Sequence, residues 1–417
     1  MSKIAVIGAG ISGLTVAQEL SHEPSNNVVV FEKEANPGGL IRCKRINGSL
    51  FHICGGHIFN SKRQDVLDWF WQRFDKENEF IKADRNSVVA MPNGLMVPYP
   101  IEDHVYYFDQ AIQDKFYGDL VQLELEGQPR GNNFEEFLRN RFGETLFNLY
   151  FGPYNRKVWK CDLTKVSLDW LEGKLPMPTV QEMRDHNANH VEEKQFVHST
   201  FYYEKEGGSQ LIANRLAEGL DIRYLSDVKC LDYKNAKIYI NEEAFDKVVY
   251  CGNIKQLVSI LSGVELNEYK LPVEQLQAHG TTAVFCEIDK NPYSWIYQPS
   301  EEHHSHRIIC TGNFSATNNK EGVLTGTVEF TDEMALADIK TDLEKMPFHP
   351  KYIAHHYSPY TYPIQTKETR QLIQSLKNKL ALYNIYFTGR FADWEYYNMD
   401  VAIGAALDLC KNFLQRG

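Results

Sequence analysis

The sequence predicts an α/β chain. One sheet is assembled from three separate segments, interrupted first by a helical insertion and then by a mainly β insertion. Three observations carry this. A strand, glycine loop, helix and second strand open the chain, KIAVIGAGISGLTVAQEL followed by VVVFEKE. Short strand-like stretches (RYLSDVKCLDY, AKIYIN, KVVYCGN, and NIYFTG near the end) return to that sheet. Between them, signals are mostly helical over one long stretch and strand-like over another (TTAVFCEI, WIYQP, RIICTGNF, VLTGTVEF). The boundaries that follow are 1–62, 200–272 and 375–417 for the sheet domain, 63–199 for the helical insertion and 273–374 for the β insertion.

The first element is the most specific. The apolar strand Ile4 to Ile7 runs into Gly8-x-Gly10-x-x-Gly13, with Ser12 inside the loop, and an apolar helix follows. The second strand ends in Glu32, 19 residues past Gly13, with Lys33 behind it. This is the dinucleotide fingerprint of a Rossmann-like domain in its proper context. Gly8 allows the tight turn, Gly10 lets backbone approach a pyrophosphate at the helix N-terminus, and Gly13 lets helix and strand pack closely. Glu32 is placed to accept hydrogen bonds from a ribose.

The next residues favour FAD over NAD. KEANPGGLIRC directly follows the ribose acid, and its pair Gly38-Gly39, just before Leu40, has no helical or strand use. A ligand longer than one βαβ unit would run past it. ICGGHIF, residues 53 to 59, then sets Gly55, Gly56 and His57 between apolar residues. Glycine weakens a strand unless a ligand or another backbone must come close, so this loop is expected to meet the cofactor.

The remaining elements follow in order. Ser61-x-x-Gln64 reads as a capping box before the helix VLDWFWQRF. Helical signals continue through FEEFLRNRF, GETLFNLYF, KVSLDWLEG and the polar QEMRDHNANHVEEK. FYYEKEGGSQLIANRLAEGL reads strand, glycine turn, helix. At the end, Gly389 closes a strand and the loop RFADWEYYN leads into the helix MDVAIGAALDLCKNFL. Met399 and Asp400 lie at its N-terminus, where free N–H groups and the positive dipole end collect. A reduced, anionic flavin would be stabilised there. A closely packed terminal helix would use the same small residues Gly404, Ala405 and Ala406, and the fingerprint tips the choice toward flavin.

Composition narrows the partners. A formal net charge of -11 argues against nonspecific binding to nucleic acid or an anionic membrane. No run is long enough for a membrane span, and the strand beginning right after MSK leaves no room for a signal peptide. The eight cysteines form no CxxC pair, so neither a zinc site nor a disulfide framework is expected. Together these predict a cytoplasmic, metal-free protein.

At this point the residues carry a family resemblance. GRFADWEYYNMD resembles the C-terminal motif of the UDP-galactopyranose mutases, and GGHIF their flavin-loop histidine motif. YNRKVW (154–159) is similar to their aromatic substrate-side segment, VPYPIE (97–102) to a segment of the eukaryotic type, and SWIYQPSEEHHSHRIICTGNF (294–314) to the segment bearing a diphosphate-binding arginine. The matches run in the same order over nearly the whole chain.

The resemblance implies a flavin-dependent mutase that interconverts pyranose and furanose forms of a nucleotide sugar, UDP-galactose first among them. Reduced FAD would act as a nucleophile through an N5–sugar adduct, with no net redox. An external reductant such as NAD(P)H would keep the flavin reduced, and a homo-oligomer is compatible. His57, Arg307 and Lys174 would serve catalysis. Cofactor contacts would come from Gly8, Gly10, Ser12, Gly13, Glu32, Lys33, Gly39, Leu40, Gly56, His57, Val228, Gly389, Arg390 and Met399. Substrate contacts would come from Tyr150, Asn155, Trp159, Lys174, Trp295, Tyr297, Arg307, Tyr362, Tyr396 and Asn398.

Three departures bear on the substrate. Lys174 stands where the family has a second diphosphate arginine, which keeps the charge and loses the bidentate fork. Phe314 replaces a tyrosine, and Glu102 stands where the eukaryotic type has a glutamine. A dTDP-deoxyhexose or an N-acetylated sugar therefore stays open beside UDP-galactose. Two other readings remain. An amine-oxidase or desaturase-type flavoprotein would have an apolar tunnel without paired cations. A noncatalytic flavoprotein would bind a nucleotide sugar without turnover.

Overall fold

The computed structural model describes residues 2–168, 171, 178–191 and 200–414. Its first sheet has five parallel strands in the order Ile385–Phe387, Lys247–Tyr250, Ser2–Ile7, Asn26–Phe31 and Asp221–Arg223. Every neighbouring pair is parallel, with Val6 between Val249 and Val30. The strands come from three distant parts of the chain; four are short, apolar-rich and largely buried, as the strands of a covered parallel sheet are, and the edge strand Asp221–Arg223 is not. The helix Ile11–Ser21 and the terminal helix Met399–Leu414 share a core on one face, through Leu14, Val16, Ile403 and Leu407.

A second sheet of seven strands forms the other half, in the order Lys351–Pro363, Ala278–Ile288, Leu324–Thr331, Arg307–Ile309, Trp295–Tyr297, Ser87–Ala90 and Met96–Pro98. Helices Gln110–Glu126, Phe134–Leu146, Gly152–Trp159 and Val180–Asn189 pack against its far end. One core joins the two, running from Phe137 and Tyr150 to Trp295, Tyr297 and Ile309. That shared core faces aromatic side chains from helices and strands toward each other.

The structure corrects four local expectations. AKIYIN and the end of RYLSDVKCLDY do not join the first sheet: Leu231–Lys234 and Lys237–Ile240 pair with each other, Asp232 opposite Tyr239, in a separate four-stranded sheet. The stretch read as mostly helical contains strands at Phe80–Asp84, Ser87–Ala90 and Met96–Pro98. The last two form a hairpin, SVVAMPNGLMVP, whose Asn-Gly signal was present in the sequence and whose Gly94 adopts φ +86°. It pairs with Trp295–Tyr297, about two hundred positions away, so tertiary pairing decides it. The capping box is not formed: Arg63 is the N-cap without a side-chain cap, and Ser61 Oγ accepts from the Arg63 N–H at 3.2 Å. Arg63 reaches over the terminal helix to Asp408, and a Cβ on Gly404 would lie 2.8 Å from its guanidinium. The slim end of that helix therefore makes room for Arg63. The KVSLDWLEG stretch and the end of QEMRDHNANHVEEK lie partly outside the described residues.

Candidate active site

The dinucleotide loop sits at the carboxyl ends of the central strands. Gly8 turns with φ +103°, and a Cβ on Gly13 would fall 1.9 Å from the Gly8 carbonyl oxygen, so the close helix–strand approach admits only glycine there. Gly10 is the N-cap of the Ile11–Ser21 helix and brings no side-chain cap. Its nearest neighbour across the gap is Gly39 Cα, 3.9 Å from where its Cβ would be. Side chains at Gly10 and Gly39 would close the space between the two loops. Glu32, buried at the strand end, accepts from the N–H groups of Ala9 at 2.7 Å and Glu34 at 2.9 Å, while Lys33 is exposed and Val228 buried. Gly389 turns with φ +122° beside Ser12. Asp393, absent from the sequence-based set, holds that turn by accepting from the Gly389 N–H at 3.0 Å. The uncapped helix end, beside glycine loops joined where the Gly38 N–H donates to the Ala9 carbonyl at 2.8 Å, suits a dinucleotide diphosphate, so these residues fit FAD.

The GGHIF loop reads differently in space. Gly55 has φ +73°, and a Cβ there would point at the His57 ring and Glu329. A Cβ on Gly56 would meet Ile309 Cγ2 at 2.6 Å. The expectation that Gly56 is bare because cofactor comes close is thus corrected: Ile309, from the second sheet, fills that space. His57 Nε2 donates to the Leu40 carbonyl at 2.9 Å, which ties this loop to the glycine loop. Burial, then the charge of Arg390, pushes the His57 imidazole down to about 4, so it is neutral at ordinary pH.

Arg307 and its neighbours form the polar centre. Its Nε donates to Glu329, and its Nη2 donates to Tyr362 Oη at 2.9 Å. Glu329 is 1% exposed. Burial alone would raise its carboxyl, but Arg307, with His306, outweighs this and holds it down to about 2. Tyr362 and Tyr396 stack at 5.4 Å with 6° between planes, and the Arg390 guanidinium lies 4.6 Å from the Tyr396 ring centre. Arg390 is fixed by the carbonyls of Tyr397 and Thr361.

A ladder of rings continues from there. Tyr154 packs on His306 (6.2 Å), Tyr297 (5.6 Å) and Tyr150 (5.2 Å), and Tyr99 packs on Tyr297. Arg85 donates to Tyr297 Oη at 2.8 Å and lies over Trp295.

Of the sequence-derived substrate set, Tyr150, Trp295, Tyr297, Arg307, Tyr362 and Tyr396 are linked through these contacts, from the 147–151 turn, the strands Trp295–Tyr297, Arg307–Ile309 and Lys351–Pro363, and the loop before the terminal helix. Trp159 packs edge-on to Phe134 in the helical core, and Asn155 bonds to its own helix at the Phe151 carbonyl. Asn398 is exposed, and its carbonyl starts the terminal helix by accepting from Ala402. Met399 is buried at that helix end. Lys174 lies outside the described residues. Phe314 is buried against Trp295 and Tyr203, in a dry position. Burial, then Asp103, pushes the Glu102 carboxyl up to about 8.

Sequence reasoning missed Glu329, Tyr154, Tyr99 and Arg85. Glu329 had a signal, a lone acid inside the apolar strand run VLTGTVEF, which needs a buried cation. Among the described residues no helix is long and apolar enough to cross a membrane.

The chain resembles known proteins over its full length. Residues 6–74 match a family model described as an NAD(P)-binding Rossmann-like domain. A UDP-galactopyranose mutase from Mycoplasma pneumoniae is 22% identical, covering 98% of this chain and 96% of its own. A dTDP-fucopyranose mutase from Escherichia coli is also 22% identical, covering 100% and 99%. The crystal structure of a reduced UDP-galactopyranose mutase superposes with a TM-score of 0.88 at 22% identity, covering 100% of this chain and 94% of that one.

Proposed function

We propose that this chain, a full-length relative of the nucleotide-sugar mutases, is an isomerase that interconverts the pyranose and furanose forms of a nucleotide sugar, with UDP-galactose as the first substrate to try. FAD is the cofactor, in its reduced form. The Gly8–Gly13 loop, Gly39 and the N-terminus of the Ile11–Ser21 helix would hold it, and in its reduced form it would supply a nucleophile for the anomeric carbon with no net consumption of electrons.

The observation that carries this reading is the Arg307 centre. A guanidinium held by Glu329 and the Tyr362 hydroxyl, beside the stacked Tyr396 and a second guanidinium on Arg390, is a preorganised receptor for a diphosphate leaving group. Tyr150, Tyr154, Tyr297 and Trp295 wall the nucleotide sugar, exclude water and orient it. His57 stays neutral and keeps the Leu40 carbonyl in place at the rim of the cofactor cleft.

The oxidase alternative expects an apolar tunnel without paired cations, and the Arg307 centre counts against it. The test is incubation of the oxidised and the dithionite-reduced protein with a panel of sugar nucleotides, followed by chromatography and run from the furanose side. The reduced protein should equilibrate the two ring forms, and the oxidised protein should bind and leave them unchanged. Stoichiometric peroxide from an amine or alkene would overturn the reading in favour of the oxidase. Binding without turnover in either redox state would favour a noncatalytic flavoprotein.

A further inference from the structure

Behind the GGHIF loop lies a chain of hydrogen bonds among residues that are all fully buried: Asn318, Tyr203, His52 and Ser209. Asn318 Nδ2 donates to Tyr203 Oη at 2.9 Å and to the Thr311 carbonyl at 2.9 Å, which uses both its hydrogens. Tyr203 Oη, already an acceptor, lies 2.8 Å from His52 Nε2. On the other side of the ring, His52 Nδ1 lies 3.2 Å from Ser209 Oγ. Ser209 in turn donates its single hydrogen to the Ile41 carbonyl at 2.7 Å.

With Ser209 giving its hydrogen to Ile41, the shorter contacts favour one direction, against the longer competing contacts of the His57 N–H with His52 Nδ1 at 3.5 Å and of Cys43 Sγ with Ser209 Oγ at 3.4 Å. The phenolic hydrogen goes to His52 Nε2. A neutral His52 then carries its hydrogen on Nδ1 and gives it to Ser209. Burial, then His57, pushes the His52 imidazole down to about 3, which keeps it neutral. The chain ends on Ile41, next to Leu40, whose carbonyl receives the His57 hydrogen. The His57 N–H itself faces His52 Nδ1 at 3.5 Å, at the limit of a hydrogen bond.

We propose that His52, Tyr203 and Ser209 are positioning residues that act through His57: their one-directional chain holds the Ile41 carbonyl, in the peptide unit adjoining the Leu40 carbonyl, and thereby fixes the His57 ring beside the glycine loop. This role rests on the mutase reading. Tyr203 and Asn318 come from beyond the glycine loops, so the chain couples the β insertion to the cofactor loop by side chains that touch neither cofactor nor substrate.

Ser209→Ala tests it. With the serine gone, His52 Nδ1 has only the His57 N–H to face, so its hydrogen should move to Nε2 and be given to Tyr203. Nitrogen NMR of the FAD-loaded, 15N-histidine-labelled protein should show the protonated and bare ring nitrogens of His52 exchanged relative to the parent. The resonances missing in His52→Gln identify that ring. In the mutase assay, kcat should fall roughly three- to tenfold, as for one lost hydrogen bond, with FAD content and KM unchanged. Placed in a His57→Ala background, Ser209→Ala should cost less than about twofold, because its route is already cut.

Tyr203→Phe keeps the ring and removes the donor. It should lower kcat in the same way and leave the hydrogen on Nδ1. A parent His52 protonated on Nε2, or a kcat loss that persists in full without His57, would overturn the proposal. A parent that converts no sugar nucleotide overturns the mutase reading instead, while the tautomers still decide the hydrogen-bond chain.

Discussion

Arg307→Ala should separate two jobs that one guanidinium performs. The parent holds Glu329, 1% exposed, ionised inside the protein. Holding that carboxyl at about 2 instead of its ordinary 4.5 is worth about 3 kcal/mol at neutral pH. The folded value is depressed, so this stability is present above the ordinary value and is lost as pH falls toward 2. Without Arg307 the carboxylate keeps only His306, 3.6 Å away, and its Oε1 already has no partner among the described residues.

Removing one partner of a buried pair costs about 3–5 kcal/mol, and because burial raises the unpaired Glu329 carboxyl, the cost should shrink as pH falls from above the ordinary carboxylate range and Glu329 takes up a proton. The double variant Arg307→Ala/Glu329→Gln should regain most of the stability, because no charge is then left buried. It should not regain nucleotide binding, since the lost charged hydrogen bond to a diphosphate is worth roughly ten- to a hundredfold in affinity. Urea unfolding at a series of pH values measures the first job and calorimetric titration with UDP the second, with visible flavin absorbance confirming FAD content. Should the double variant be as unstable as the single one, Arg307 does not serve to neutralise Glu329. Should either variant bind UDP like the parent, the guanidinium does not face the diphosphate.

Other outcomes follow from single contacts. Gly13→Ala should yield a protein that retains no yellow colour, because its Cβ would lie 1.9 Å from the Gly8 carbonyl oxygen and the loop must move; FAD absorbance after desalting checks this. His57→Ala should keep the colour and lower the mutase rate, since the ring bonds to the Leu40 carbonyl and not to the pyrophosphate loop; flavin content and kcat measured side by side decide it. Lys157 donates to the carbonyls of Gln298 (3.1 Å) and Ser305 (2.8 Å), and burial pulls its ammonium down to about 7 from 10.5. The unfolded chain binds that proton more tightly between these values, so parent stability should rise with pH across the window. Unfolding of Lys157→Met at about pH 7 and about pH 9 should show the parent gaining on the variant.

The cofactor half of this protein was legible in its sequence because its chemistry is local. The turn at Gly8, the open N-cap at Gly10, the clash that forbids a side chain at Gly13 and the acid at Glu32 all lie within one strand–helix–strand unit, so spacing alone implies their geometry. The terminal helix starting at Met399 was readable for the same reason.

The polar centre was only partly readable. Motif resemblance pointed to Arg307, Tyr362 and Tyr396, but their partner Glu329 and the rings of Tyr99 and Tyr154 are joined by pairings between strands and helices far apart in the chain, which no local period encodes. Gly56 is the sharpest case. The sequence marks it as a place where something comes close, and only the tertiary structure decides that this is Ile309, some 250 residues away on another sheet. The hairpin at 87–98 likewise became strand because a partner strand was available, and backbone hydrogen bonds across a sheet are settled by what lies beside a segment rather than by what it contains.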